Sequence, residues 1–156
     1  QQSAQTAASF ANTEFFGLHT FFYNQGKANQ TKFRWHLTPD LGVKTLSKEE
    51  AAKKTAEFLE KTMMEQLEVS KVSFTLHASI GEESDTNIDP SSPWPEERTK
   101  VVLGRITIAS AGGNDCNNTN YDPNMLSKGF SPSADPVLRM RSPAYAISFG
   151  KRLSNQ

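Results

Sequence analysis

Several features that often reveal a function are scarce in this sequence. Cysteine occurs once, at Cys116, which excludes an internal disulfide and a cysteine-rich metal site. Neither charge predominates, because 17 basic residues balance 17 acidic ones, so no global field attracts nucleic acid or an anionic membrane. Apolar runs are short, and none approaches the roughly 20 residues that a membrane helix needs. The function is therefore expected in a local site.

The first residues indicate processing upstream of this chain. Gln1 is not an initiator residue, and residues 1–9 lack the charged-then-apolar pattern of a signal peptide. We therefore expect a mature or internal end. Two N-glycosylation sequons begin at Asn29 and Asn117, each in a polar, turn-like stretch from which a glycan can project. Together, these features predict a secreted protein.

Length and pattern predict one α+β domain over residues 1–156, since this length suffices for one modest core. Residues 15–23 are rich in β-forming side chains, residues 24–27 have turn chemistry, and residues 32–37 alternate between apolar and polar. This pattern predicts a β-hairpin. Because strand side chains alternate between faces, it also predicts that His36 faces solvent.

The middle of the chain predicts a helix and two strands. Ser47 followed by Glu50 forms a capping box, and apolar residues then recur at helical spacing as far as Leu67. That length corresponds to a helix of about five or six turns. Alternation further predicts strands at residues 69–80 and 101–109.

Two segments on either side of the last predicted strand are irregular. Residues 81–100 are rich in Ser, Pro, Asp and Glu and predict a long surface loop, whose Trp94 indicates packing against another element. Residues 112–133 are also irregular and lead into the last helix. No repeat or low-complexity segment accompanies them.

The last helix is predicted to run over residues 137–153. Asp135 is placed to cap it and Pro136 to occupy its first position. Pro143 lies inside the helix and predicts a kink, because proline removes one backbone hydrogen bond.

Arg141 and Tyr145 lie four residues apart in this helix and should touch, because side chains at that spacing share a face. Ser148 or Phe149, and then Arg152, continue the same face. A guanidinium favours an adjacent phenolate through Coulomb attraction and hydrogen bonding, and a second arginine can bind a carboxylate bidentately. The alternative interpretation is an ordinary cation–π pair on a surface helix.

Three stretches, in order, resemble the catalase family. The segment from Tyr121 to Tyr145 contains YDPNML, GFSPS and DPVLRMRSPAY, and resembles the entry to the proximal haem helix of catalases. FGLHTF at 16–21 with KFRWH at 32–36 resembles a barrel hairpin beside the haem, and PDLGVKTLS at 39–47 the turn after it. Together they correspond to the second half of the catalase core. The particular resemblance is to the small catalase-related haem peroxidases, which lack the C-terminal helical domain.

This resemblance implies a partial antiparallel β-barrel with flanking helices, haem b as cofactor, and reduction of hydrogen peroxide or organic hydroperoxides. Tyrosine is the axial iron ligand in catalases, so the resemblance implies that role for Tyr145, with Arg141 as its charge partner at the catalytic centre. It also implies haem contacts by His19, Val137 and Arg152, with Arg152 at a propionate.

In the catalase family the distal histidine and asparagine lie in the N-terminal half. None of His19, His36 and His77 falls in that segment, and His77 is expected to face outward from its strand. Half a barrel also leaves strand edges unpaired. We therefore expect the N-terminal half of the same precursor as a companion, with the activity belonging to both halves, and a homo-oligomer is a further expectation. The alternatives are a non-catalytic subunit that binds haem or another ligand or is purely structural, and a hydroperoxide isomerase on the same scaffold.

Overall fold

The chain forms a sheet with helices at its margins. A computed structural model describes residues 5–24, 26, 30–113 and 115–154. The strands are β1 Thr6–Ala7, β2 Phe15–Phe16, β3 Phe21–Asn24, β4 Gln30–Pro39, β5 Thr45–Leu46, β6 Val72–Ile80, β7 Lys100–Ile108 and β8 Phe130–Pro132. The helices are α1 Lys48–Ala51, α2 Phe58–Val69 and α3 Pro136–Leu153, with short 3-10 segments at Phe10–Asn12 and Asp115–Asn118.

The main sheet has six strands in the order β7-β6-β4-β3-β8, with β2 also paired to β4. The predicted first hairpin strand is divided, because Phe16 pairs with His36 and Phe21 with Phe33. Four residues, 17–20, therefore lie opposite two, and such a bulge interrupts the ladder. Within the described part of the chain, β7 and β8 end the strand order and do not pair with each other. The β-barrel accordingly stays a prediction, whereas the combination of sheet and helices is confirmed.

The chain divides into two compact units, each assembled from separate stretches of sequence. The first comprises Gln1–Phe16, His36–His77 and Val102–Gly112, and the second Gly17–Trp35, Ala78–Val101 and Gly113–Gln156. Each has its own apolar cluster. Buried in the first are Ala11, Val72 and Phe74. Buried in the second are Phe21, Phe33, Ala78 and Leu138, with Trp35 and Ile80 packed against them.

The predicted long helix after Ser47 is wrong in its middle. The capping box is present, since Ser47 Oγ accepts from the Glu50 amide and the Glu50 carboxylate accepts from the Ser47 amide. The helix nevertheless stops at Ala51, and α2 begins only at Phe58. Residues 52–57 are all exposed, and a helical segment without a packed face has little to stabilise it in water. Val69 ends α2 instead of starting the next strand.

The prediction that His36 faces solvent is also wrong. His36 is only 7% exposed, and its ring stacks on Phe16 at 5.8 Å and on His77 at 4.7 Å between centroids. Strand alternation placed it correctly on the face opposite the hydrophobic side chains, but the rings of Phe16 and His77, on neighbouring strands, stack on it there. His77 alternates with the buried side chains of β6, as expected for an outward-facing residue, but it is partly buried, with Nε2 2.9 Å from Thr38 Oγ1.

The loop over residues 81–100 is confirmed, and Trp94 packs within the second unit as expected. Its ring lies so close to Gly81 that a Cβ added there would come within 2.6 Å of the indole. The irregular stretch 112–133 hides a strand, however, since β8 pairs with β3 through Tyr23 and Phe130. Its glycine and proline content obscured that short strand.

Other predictions concern the surface of the chain. Among the residues that the structure describes, no helix combines the length and apolarity that a membrane crossing requires. Asn117 is exposed in its 3-10 segment. The sequon at Asn29 lies outside the described residues.

Candidate functional site

The candidate site is built on α3, whose start is fixed by the chain itself. Asp135 Oδ1 accepts from the amides of Val137 at 2.8 Å and Leu138 at 3.3 Å, and Pro136 occupies the first position. The predicted cap is therefore confirmed. Leu138 is fully buried in the apolar cluster of the second unit, which anchors the first turn of the helix. The predicted kink at Pro143 stays a prediction.

Arg141 and Tyr145 are in contact, as their spacing predicts. Arg141 Nη2 donates to the phenol oxygen of Tyr145 at 2.9 Å, and the guanidinium carbon lies 5.4 Å from the centre of the ring. Both side chains are partly buried. The contact is thus more than a stacked surface pair, because a directional hydrogen bond is aimed at the oxygen.

His19 connects this pair to a buried carboxylate. Its Nδ1 lies 2.6 Å from Asp135 Oδ2, and its Nε2 lies 3.3 Å from Arg141 Nη1. A guanidinium can only donate, so Nε2 must accept, and the ring proton belongs on Nδ1, from which it is donated to Asp135. The four side chains form one chain of hydrogen bonds from a carboxylate to a phenol.

Asp135 is the member that sequence reasoning missed, since it was predicted only as a helix cap. Its carboxylate is 1% exposed, and it is satisfied by two helix amides on one oxygen and His19 on the other. It also stabilises the charge of Arg34: burial lowers the pKa of Arg34, and the carboxylates of Asp85, Asp135 and Asp89 oppose that shift. No local pattern reveals the link, because His19 and Asp135 are 116 residues apart.

The two other predicted haem contacts lie on the same helix. Val137 is 52% exposed one turn before Arg141. Arg152 donates to Ser148 Oγ and to the Thr119 carbonyl, each at 3.0 Å. The predicted column therefore consists of two separate contacts, one around Tyr145 and one around Arg152.

The usual metal-binding side chains do not cluster in the part of the chain that the structure describes. No group of three or more His, Cys, Asp and Glu residues there is arranged to hold a metal ion. Cys116 is exposed, and hydrogen bonding to it raises the pKa of Tyr121. Tyr145, with a guanidinium on its oxygen, is the candidate ligand.

Comparison with protein families matches the chain almost end to end. The catalase family model covers residues 2–156. A catalase-related peroxidase of Synechococcus elongatus is 40% identical over 149 residues, which are 92% of this chain and 43% of that protein. A catalase-related peroxidase of Mycolicibacterium paratuberculosis is 31% identical over 153 residues, 95% of this chain and 48% of that protein. The chain thus spans less than half the length of these relatives.

Solved structures show the same fold at low sequence identity. A fungal catalase superposes with a TM-score of 0.82 at 23% identity, over 95% of this chain and 32% of its own. Catalase A from Saccharomyces cerevisiae gives a TM-score of 0.82 at 22% identity, over 95% of this chain and 33% of its own. The arrangement of sheet and helices is therefore catalase-like.

Proposed function

This chain belongs to the catalase family, and we propose that it supplies the proximal haem side of a peroxidase that reduces hydrogen peroxide or organic hydroperoxides. The observation that carries this proposal is the 2.9 Å hydrogen bond from Arg141 Nη2 to the Tyr145 phenol oxygen. A guanidinium held on a phenol oxygen favours the anionic form that binds a ferric ion.

The residues around Tyr145 fit a haem. The phenol oxygen offers a hard anionic donor, and Val137 and Ala144, which share the Arg141 face of α3 by spacing, leave apolar surface exposed beside it. An apolar macrocycle would cover that surface. When bound, haem b supplies the redox chemistry that cleaves the O–O bond of a hydroperoxide.

The other members of the hydrogen-bond chain hold Arg141 in place. His19 Nε2 accepts from one arm of the guanidinium, so the other arm is directed to Tyr145. Asp135 fixes the Nδ1–H tautomer of His19, and the start of α3 fixes Asp135. In this scheme the protein keeps the positive charge of the Arg141 guanidinium beside the phenol oxygen, and the Nδ1–H of His19 stays hydrogen-bonded to the Asp135 carboxylate.

Arg152 is proposed to contact a haem propionate. Its present acceptors are a hydroxyl, Ser148 Oγ, and a carbonyl, that of Thr119, and both hydrogen bonds are exposed. A propionate replacing one of them would form a charge-assisted pair, which is stronger than a bond to a neutral acceptor.

The N-terminal half of the full-length protein is proposed to supply the distal acid–base group and to close the sheet into a barrel. The chain spans 43% and 48% of its curated relatives. Every residue of β7 from Lys100 to Thr107 is exposed. They include two apolar side chains, Val102 and Leu103, each more than half exposed. Such an edge invites pairing with another strand. Homo-oligomer formation belongs to the same proposal.

The experiment that tests the haem assignment is Tyr145→Phe in the full-length protein, with Tyr23→Phe as the matched control. Tyr23 lies on β3 and packs on Phe130, so its hydroxyl has no part in the proposal. Tyr145→Phe is expected to lose the haem absorption band and peroxide turnover, and Tyr23→Phe to keep both. Full haem occupancy and activity in Tyr145→Phe would overturn the assignment.

The same preparation separates the alternative activities. Haem binding without peroxide turnover would indicate a non-catalytic haem carrier, and a colourless protein a structural subunit. With a fatty-acid hydroperoxide, formation of the corresponding alcohol indicates reduction, whereas rearranged products indicate an isomerase.

A secreted location with a glycan on Asn117 completes the proposal. Asn117 is exposed, as a glycan requires. Intact mass before and after enzymatic deglycosylation, with Asn117→Gln as control, tests it in protein from the natural source. An unchanged mass would remove the glycan from the proposal.

A further inference from the structure

The contact between Arg141 and Tyr145 crosses the weakest point of α3. Pro143 lies between them and has no amide hydrogen, so the carbonyl of Arg139 loses its intrahelical donor. A proline also disfavours the helical conformation of the residue before it, here Ser142. The hydrogen bond to Tyr145 nevertheless requires a regular helical register across this point.

Three side chains brace the helix there, and we call them the 122–142 clamp: Asp122, Asn124 and Ser142. Asn124 Nδ2 donates to the Leu138 carbonyl at 2.8 Å and to Ser142 Oγ at 2.9 Å. Ser142 Oγ in turn donates to Asp122 Oδ1 at 3.0 Å. The turn over residues 122–124 is thereby tied to the helical turn that precedes Pro143.

The clamp has a carboxylate at one end, that of Asp122, and at the other end the side-chain amide of Asn124, whose orientation is fixed. The amide of Asn124 donates to the Asp122 carboxylate and is the main reason that the pKa of Asp122 lies below its ordinary value, with Ser142 adding to the effect. Because the Leu138 carbonyl can only accept, Asn124 must present its NH₂ group to the helix. Its Oδ1 is then buried without a partner among the residues described.

We propose that Asp122, Asn124 and Ser142 are positioning residues that hold α3 in register across Pro143, so that Arg141 meets the Tyr145 oxygen. This inference rests on the proposed role of Tyr145 as the haem ligand. The clamp itself touches neither reacting group. It acts on the helix backbone and on the residue before the proline.

A double-mutant cycle between Asn124→Ala and Pro143→Ala tests the inference in the full-length chain prepared without haem. One readout is amide hydrogen exchange of residues 144–147. The other is the ¹³C resonance of the Tyr145 ring carbon that bears the hydroxyl, which is assigned by its absence from the spectrum of Tyr145→Phe. Asn124→Ala is expected to speed exchange about tenfold, as the loss of two helix-bracing hydrogen bonds implies. It should also move the resonance toward that of an Arg141→Ala variant.

In the Pro143→Ala background the helix supplies its own backbone hydrogen bond, so the effect of Asn124→Ala should fall to less than half. Equal effects in both backgrounds, or an unmoved Tyr145 resonance, would overturn the proposal. Ser148→Ala is the matched control and should change neither readout, because Ser148 lies on the same helix beyond Pro143 and, within the described part of the chain, its hydroxyl bonds to Arg152.

Ser142→Ala keeps the protein testable where Asn124→Ala does not fold, because the bond from Asn124 to Leu138 remains. It should give a smaller change in the same direction, and no change would count against the clamp. These readouts need no haem, so a failure of the clamp is distinct from a failure of the Tyr145→Phe experiment.

Discussion

Two arginines of the second unit, Arg34 and Arg141, are partly buried to a similar degree and have quite different partners. Arg34 donates to the carbonyls of Ser92 at 2.9 Å and Asp89 at 3.2 Å, and its guanidinium carbon lies 4.6 Å from the centre of the Trp94 ring. Arg141 donates to an imidazole and a phenol. These two carbonyl acceptors of Arg34 are main-chain groups, whereas the two partners of Arg141 are side chains.

The difference separates an arginine that fastens a loop from one that is proposed to serve the haem ligand. Burial lowers the pKa of Arg34, and the bonds to main-chain oxygens compensate for the lost hydration while fastening the 81–100 loop to β4. Among the described residues, Arg141 donates to the side chains of His19 and Tyr145, and Tyr145 is the proposed haem ligand. Neither residue type nor burial distinguishes the two sites; the chemistry of the partners does.

The largest expected effect lies in the same loop, where Asp85→Ala should destabilise the protein more than any other change considered below. Asp85 is buried and accepts from Arg98 Nε at 2.8 Å and Nη2 at 2.9 Å, and from the Glu82 amide. The hydrogen bond from Arg98 is the main reason that the pKa of Asp85 is lowered. A carboxylate with a lowered folded pKa stabilises the fold above its unfolded value of about 3.9 and loses that effect as pH falls through the folded pKa.

Urea unfolding of wild type and Asp85→Ala at a series of pH values measures this directly. The difference in unfolding free energy should be constant between about pH 7 and pH 5 and shrink below about pH 4. A pH-independent difference would show that the carboxylate charge has no part in fastening the loop. Haem binding at Tyr145 should be unaffected wherever the protein is folded.

Trp94→Ala should cost about 2–3 kcal/mol in unfolding free energy, below the range for a fully buried tryptophan because Trp94 is only partly buried. It removes the ring from Arg34 and from Gly81. Trp94→Phe is the control, since it keeps an aromatic face and loses mainly the bond from Nε1 to the Thr86 carbonyl. If Trp94→Ala lost as much free energy of haem binding as of unfolding, the Arg34 and Arg141 sites would not be distinct.

Matched lysine substitutions sharpen the comparison most directly. Lysine is a point donor and cannot span the acceptors that a planar guanidinium reaches. Arg34→Lys should cost about 1–2 kcal/mol of stability, from lost stacking and hydrogen bonds, and should keep haem. Arg141→Lys should change stability by less than about 1 kcal/mol and lose most haem binding. Thermal unfolding measures the stability of both variants, and haem titration measures their haem binding. Equal losses of stability and of haem binding in the two variants would contradict the distinction between the two arginines.

The sequence predicts local parts of the site well and its long-range parts poorly. The Asp135 cap and the contact of Arg141 with Tyr145 follow from helix geometry alone, and both are confirmed. The link from His19 to Asp135 joins residues 116 positions apart, and only the tertiary fold brings them together. The sequence accordingly showed Asp135 as a cap and His19 only through a family resemblance.

Failures in the fold have the same origin. Helical spacing continued through residues 52–57, but these residues are all exposed and the helix breaks there. Alternation in β4 put His36 on the correct face, yet it could not show that the rings of Phe16 and His77 stack on it there. The periodicity of a sequence specifies the direction in which each side chain points from its helix or strand. The burial of that side chain depends on which other residues pack against it in the tertiary fold.

A third arginine, Arg105 of the first unit, gives the smallest expected effect. Its Nε lies 3.0 Å from Asp40 Oδ2, but its side chain is 66% exposed. Arg105→Ala should therefore cost less than about 1 kcal/mol, and added salt should reduce even that by screening the pair. Urea unfolding at low and high ionic strength measures it, with Asp40→Asn as the matched partner. If Arg105→Ala lost as much unfolding free energy as Arg34→Lys, a carboxylate partner would contribute more to stability than burial does. We expect the opposite, because burial and the number of fixed acceptors should determine how much an arginine stabilises the fold.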